Sequence, residues 1–156
     1  MEINIREAKE EELIIIQQMC SDTIYKICSV DYTYNQLEVW ISNIEDTQRW
    51  IHALLGQYLI VAEFESKIIG FITLKNKFYI DYLYIHKNYQ RRGIAKMLFK
   101  VIEKKAISEK QHELVSDVSI TAKPFFENLG FKVLKKQKVK IKGVELINYR
   151  MIKDIF

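Results

Sequence analysis

The stretch YQRRGIAKMLF, Tyr89–Phe99, places one of only five glycines in the chain between two arginines and an amphipathic run. Upstream, FYIDYLYIH (78–86) is apolar or aromatic on both faces, the pattern of a strand in the middle of a sheet. Downstream, Ile94, Met97, Leu98, Val101 and Ile102 recur on one stripe with lysines opposite, which predicts a helix over 93–110. A strand, a tight turn and a helix in that order make a good anion site. The N-terminus of a helix carries unpaired N–H groups and roughly half a positive charge. Gly93 has no side chain to hold a phosphate away from the backbone, and Arg91 and Arg92 add formal charge beside it. On the residues alone, the turn reads equally as a left-handed surface turn between solvated arginines.

Working outward, Ile3 and Ile5 alternate with polar neighbours as a short first strand, and a helix follows from about Lys9 with Leu13, Ile16, Gln17 and Cys20 at helical spacing. Asp31 to Asn35 is a break. NQLEVWISNIEDTQRWIHALL (35–55) supplies further helix, with Leu37, Trp40, Ile41 and Ile44 on one face, ended by Gly56. YLIVAEF (58–64) and IIGFITL (68–74) are β-rich and joined by ESK, a hairpin. Beyond the central strand and its helix, HELVSDVSI (112–120) is another strand. TAKPFFENLGF (121–131) is a short helix, with Thr121 as its cap, Pro124 in its first turn and Gly130 closing it. KVLKKQKVKIKGVELINYRMI (132–152) is a final pair of strands turning near Lys142-Gly143. The order is β-αα-β-β-β-α-β-α-β-β, an α+β three-layer domain, expected to be a single domain over 1–156.

Composition narrows the function classes. Apolar residues make up 49% of the chain and Pro124 is its only proline, so nothing resembles a disordered linker. Cys20 and Cys28 make no disulfide framework and no zinc spacing, and reduced thiols in the cytoplasm are expected. The acidic start MEINIREAKEEE lacks the basic region of a signal or transit peptide, and Leu13–Ile16 is far too short to cross a membrane. A formal net charge of +4 suits an anionic small ligand as well as a nucleic acid. In KKQKVKIK (135–142), however, Lys138, Lys140 and Lys142 alternate with Val139 and Ile141 as the outer face of a half-buried strand, with no nucleic-acid motif. Neither nucleic acid nor membrane is expected as a partner. His52, His86 and His112 lack metal spacing, so no metal is expected.

Gln90-Arg91-Arg92-Gly93-Ile94-Ala95 matches the Q/R-x-x-G-x-G/A pattern of the GNAT acetyltransferase superfamily. The preceding LYIHKNY is similar to the family's LYVHPEY. The later SITAKPFFENLGF resembles its second block, N-x-x-A-x-x-F-Y-E-x-x-G-F, and the element order agrees along most of the chain. The resemblance, closest to small stand-alone bacterial members, implies a mixed, mostly antiparallel sheet with helices on both faces. It also implies transfer of an acetyl group from acetyl-CoA directly to an amine in a ternary complex, without a covalent enzyme intermediate. By the same resemblance, the backbone of Leu83, Tyr84 and Ile85 bonds the pantetheine arm. The amides of Arg91, Arg92, Gly93, Ile94, Ala95 and Lys96 hold the pyrophosphate, with Gln90 at the head of the turn.

The second block departs from the pattern twice. Ser119 stands where an asparagine contacts the pantetheine, and its reach is shorter. Phe126 stands where a tyrosine often protonates the leaving thiolate. Phe125 is read as the core residue of the pair, with Phe126 keeping only the packing part of the tyrosine's job. The departure keeps open a second reading, an acyl-CoA-binding protein without transferase activity.

Attack on a thioester needs a neutral amine. Asp81, sharing strand parity with Leu83 and Ile85, is the candidate to assist; it could equally bind a cationic acceptor, or be a structural carboxylate bonded toward Asp117 or Ser119. Tyr32, Tyr34 and Trp40 fall where the family shapes its acceptor pocket, though Trp40 on the apolar stripe suits the core. The acceptor, a small-molecule or peptide amine, and the choice between monomer and homodimer are left open by the sequence.

Overall fold

The computed structural model describes residues 1–156. One seven-stranded sheet runs through it in the order β1-β2-β3-β4-β5-β7-β6. The strands are β1 Asn4–Glu7, β2 Tyr58–Phe64, β3 Lys67–Lys75, β4 Tyr79–Ile85, β5 Glu113–Ser119, β6 Lys132–Ile141 and β7 Val144–Asp154. The helices are α1 Leu13–Ile27, α2 Tyr34–Glu45, α3 Thr47–Leu54, α4 Ile94–Ser108 and α5 Lys123–Asn128. Every neighbouring pair of strands is antiparallel except β4 with β5.

The three layers follow from the burial pattern. β3 is buried at every position from Ile68 to Leu74, so it must be covered on both faces. On one face, Ile69 and Ile72 meet Ile94, Leu98 and Ile102 of α4 and Phe126 of α5. On the other, Phe71 and Val61 meet Ile16, Cys20 and Ile24 of α1 and Trp50 of α3. Each such side chain contributes about 1.5–3 kcal/mol when fully buried. Polar bonds lock the helical layer: Trp50 Nε1 donates to Leu13 O at 2.8 Å and Gln17 Nε2 donates to Ile44 O at 2.8 Å.

The helical segment expected over 35–55 is divided. Asp46 leaves the helical conformation (φ −71, ψ 97) and its carboxylate accepts the Arg49 N–H at 3.2 Å, so it ends α2 and caps α3. Thr121 does not cap α5. Its hydroxyl makes no bond, and Ser119 Oγ accepts the Ala122 N–H at 3.0 Å instead. The β6–β7 turn falls at Lys142-Gly143 as expected, with φ of 49 and 82.

At the β1 edge of the sheet, Arg6 donates to both oxygens of Glu12, at 2.9 and 2.7 Å, and to Glu63 at 2.9 Å. The hydrogen-bonded guanidinium lowers the Glu12 carboxyl from the ordinary 4.5 to about 2. A depressed carboxylate stabilises the fold above its unfolded value, and that share is lost as pH falls through the folded one. Stability to urea should therefore drop as pH falls from about 4.5 toward 2, and Glu12→Gln should flatten that part of the profile.

Candidate active site

The site is made by a break in the sheet. β4 and β5 pair only at Tyr79–Val115 and Ile80–Ser116, where Ser116 Oγ donates to Ile80 O at 2.8 Å. Beyond that point β5 stays with β7 along its whole length while β4 stays with β3, and the two halves part. The His86 N–H donates to Ile69 O at 2.8 Å, so the alternation of an antiparallel ladder commits the backbone of Tyr84 and His86 to β3. Leu83 and Ile85 turn their N–H and C=O groups toward the gap. The expected trio thus narrows to two residues, and Tyr84 instead packs its ring against Phe71, 6.1 Å between centroids.

At the wide end of the gap lies the turn. Gln90 Nε2 donates to Ile85 O at 2.6 Å, tying the turn back to the end of β4, and Thr23 Oγ1 reaches the same carbonyl at 3.2 Å. Arg91 and Gly93 have φ of 60 and 79, two left-handed residues that curl the backbone into a nest of N–H groups. The first intrahelical bond of α4 runs from the Met97 N–H to Gly93 O at 3.1 Å, which leaves the amides of Ile94, Ala95 and Lys96 without a helical partner. The loop amides of Gln90, Arg91, Arg92 and Gly93 are also unpaired. A Cβ on Gly93 would meet nothing within 4 Å, so the turn opens to solvent. Arg91, Arg92 and Lys96 are exposed, and none pairs with a carboxylate. Arg92 lies over the ring of Tyr89 at 5.1 Å. Ile94, by contrast, is buried and anchors the helix to the sheet.

At the narrow end, a cavity of about 250 Å³ passes through the split. Phe126 and Val118 line it from the core beneath α4 and α5, Tyr32 and Leu146 from the core beneath α1 to α3. Asp81 sits on its wall, but the expected strand parity fails. Ile80 faces Leu74 and Leu83 faces Ile72, so β4 fits one residue more than β3 and bulges at Asp81-Tyr82. Thr73 Oγ1 accepts the Tyr82 N–H at 3.0 Å and stabilises the bulge. Asp81 Oδ2 accepts from Gln57 Nε2 at 2.7 Å, and Gln57 Nε2 also donates to Ala53 O at 2.7 Å. Its partner is therefore at the end of α3, rather than Asp117 or Ser119 across the gap.

Asp117 is fully engaged. Arg150 grips both its oxygens at 3.0 Å, Tyr79 donates at 2.7 Å and Gln137 at 2.9 Å. Burial alone would raise its carboxyl, and these bonds together hold it below the usual value.

The remaining expected residues fall as follows. Ser119 lines the cavity, with its oxygen engaged by the Ala122 amide. Phe126, not Phe125, is the core member of its pair: it is 4% exposed and edges onto Phe131 at 5.0 Å. Tyr32 and Trp40 line the cavity, 5.2 Å apart edge to face, whereas Tyr34 lies on the surface against Tyr25. His86 Nδ1 accepts the Asn88 N–H at 3.0 Å and serves the turn. Val139, Ile141, Leu146 and Ile147 of the β6–β7 hairpin complete the far wall, a contribution the sequence signalled only as the inward alternation of Val139 and Ile141.

The Tyr32 hydroxyl donates to Ile147 O at 2.6 Å and accepts the Ile120 N–H at 2.9 Å, joining three segments around the cavity. Tyr32→Phe strands both groups and should cost about 1–3 kcal/mol, read as a lower urea midpoint at unchanged m.

The family comparison agrees with this geometry. Residues 28–153 match the model of the acetyltransferase (GNAT) domain. The chain is 36% identical over 138 residues to an uncharacterized N-acetyltransferase of Escherichia coli, YafP, covering 86% of this chain and 87% of that one. It superimposes with a TM-score of 0.95 on a GCN5-related N-acetyltransferase from Rhodopseudomonas palustris, at 28% identity over 99% of this chain and 96% of the other. A PaiA N-acetyltransferase from Thermoplasma acidophilum, solved in complex with coenzyme A, gives 0.77 at 20% identity over 99% of each chain. The chain belongs to the GNAT acetyltransferase family, and so to the acetyl-CoA-dependent N-acetyltransferases. No helix is long and apolar enough to cross a membrane.

Proposed function

We propose that the protein moves an acetyl group from acetyl-CoA to a primary amine by direct attack, with both substrates held in the split between β4 and β5. The observation that carries this reading is the continuity of the split. It leads from unpaired amides and free cations at Gly93, past the backbone edge of Leu83 and the Ile85 N–H, to a cavity walled by Asp81. Such a route suits a donor with a diphosphate at one end and a thioester at the other. The amides of Arg91 to Lys96 would hold the diphosphate. Leu83, Ile85 and Ser119 would bond the pantetheine arm, and Phe126 would pack against it. The PaiA neighbour, solved with coenzyme A, supports the donor class.

Acetyl-CoA supplies the activated acyl carbon; the chain supplies position and a proton acceptor. Asp81, fixed by Gln57, takes one proton from the bound ammonium and so frees the lone pair that attacks the acyl carbon; the second proton leaves the nitrogen to water as the C–S bond breaks. The departing sulfur takes its proton from water, because Phe126 has none to give. A covalent enzyme intermediate is disfavoured by the state of the thiols. Burial raises Cys28 to about 11 and Cys20 well above its ordinary value, so neither offers a thiolate at neutral pH.

The test is release of the coenzyme A thiol from acetyl-CoA across a panel of primary amines. Amine-dependent release with matching N-acetyl product is expected. Phe126 favours a second reading, an acyl-CoA-binding protein that transfers nothing. Tight coenzyme A binding with no release above the hydrolytic background for any amine would establish that reading instead.

A further inference from the structure

The charges around the split are segregated. The chain carries 24 Lys and Arg against 20 Asp and Glu, yet none of the nineteen residues lining the cavity is Lys, Arg or His. Fourteen are hydrophobic and two are aspartates. Of those two, Asp117 is already neutralised by Arg150. Asp81 is not: its only protein partner is the neutral amide of Gln57. Arg49 acts electrostatically on Tyr82 from α3 but does not line the cavity. The rings of Tyr82, Tyr84, Tyr32 and Trp40 line the same cavity, Tyr82 next to Asp81 in the chain. Burial raises the Tyr82 and Tyr84 phenols, so both stay neutral.

From this we infer that the acceptor is a compact primary amine carrying a single ammonium on an apolar alkyl or aryl body, with no carboxylate. The inference rests on the acetyl-transfer reading above and names its second substrate. Asp81 attracts the ammonium before it accepts the proton, and the aromatic faces favour a cation and an apolar chain alike. A carboxylate on the same molecule would enter a low-dielectric space with no cation to meet it, close to a charge of its own sign. A second ammonium would find no second free carboxylate.

Matched pairs test this. With acetyl-CoA saturating, kcat/KM would be measured by thiol release for 2-phenylethylamine against phenylalanine, and for butylamine against 4-aminobutyrate and 1,4-diaminobutane. The plain amine should exceed its carboxylated partner by about a hundredfold in each pair, and butylamine should exceed the diamine. Asp81→Asn should reduce the carboxylate discrimination to about tenfold or less, read as a ratio so that its slower turnover cancels. Equal or better use of phenylalanine, 4-aminobutyrate or the diamine would overturn the inference. So would turnover of none of the five compounds by a protein that acetyl-CoA clearly stabilises, which leaves the donor site standing and removes only the acceptor class. If acetyl-CoA itself does not bind, the acetyl-transfer reading falls first and the inference with it.

Discussion

Gly93→Asp should abolish measurable acetyl-CoA binding while leaving a folded protein. The glycine sits at φ 79 with open space around its missing Cβ, so no protein atom obstructs a side chain there. The backbone conformation costs an L-residue about 1–2 kcal/mol, least for Asn and Asp, which is tolerable in a stable domain. What changes is the ligand's surroundings. A carboxylate would stand among the amides that are to receive a diphosphate. Two like charges about 4 Å apart at an effective dielectric of about 20 repel by about 4 kcal/mol. Screening at this exposed turn reduces that, and a loss of at least about a hundredfold in affinity remains. Gly93→Asn has nearly the same shape and also tolerates φ above zero, but adds no charge; it should lose about tenfold or less. Equal losses in the two variants would make the effect steric. Unchanged affinity in both would remove the turn from the site.

Asp81→Asn should lower kcat by about a hundredfold or more, with little change in affinity for acetyl-CoA. Asparagine keeps the shape and can still accept the Gln57 hydrogen bond, but it neither attracts an ammonium nor takes up its proton. The acceptor KM should rise in parallel, because ground-state attraction is lost as well. Wild-type turnover in this variant would make Asp81 a wall residue and nothing more. Gln57→Leu offers a companion: it leaves the carboxylate in place but unanchored, and its effect on kcat should be smaller than that of Asp81→Asn.

The fold was legible where its signals are local. Gly93 between a both-faces-apolar strand and an amphipathic helix needs nothing distant to be understood, and the strand, left-handed turn and helix all follow from it. The alternation of Val139 and Ile141 likewise announced a half-buried strand. Four features escaped, three of them for different physical reasons. The bulge at Asp81-Tyr82 depends on Thr73 in the neighbouring strand, so YIDYLYI on its own looks like an unbroken alternation. The identity of the core phenylalanine was not decidable from Phe125-Phe126, since adjacent residues of a six-residue helix differ only by a rotation that packing sets. Asp46 is another matter: an aspartate followed by Thr-Gln-Arg is a local cap signal, and it was there to be seen. The partner of Asp81 is Gln57, 24 residues away in sequence, and only the closed sheet brings them together.

The central claim is that the split between β4 and β5 is an acetyl-CoA site. Its most direct test is the change in melting temperature on adding acetyl-CoA, free coenzyme A or ATP. A ligand at a hundred times its Kd stabilises a folded protein by about 2.7 kcal/mol, which in a domain of this size raises Tm by about 5–10 °C. The expected result is a rise of that order with acetyl-CoA and with coenzyme A, and none with ATP. No rise with either thioester or free thiol would contradict the account.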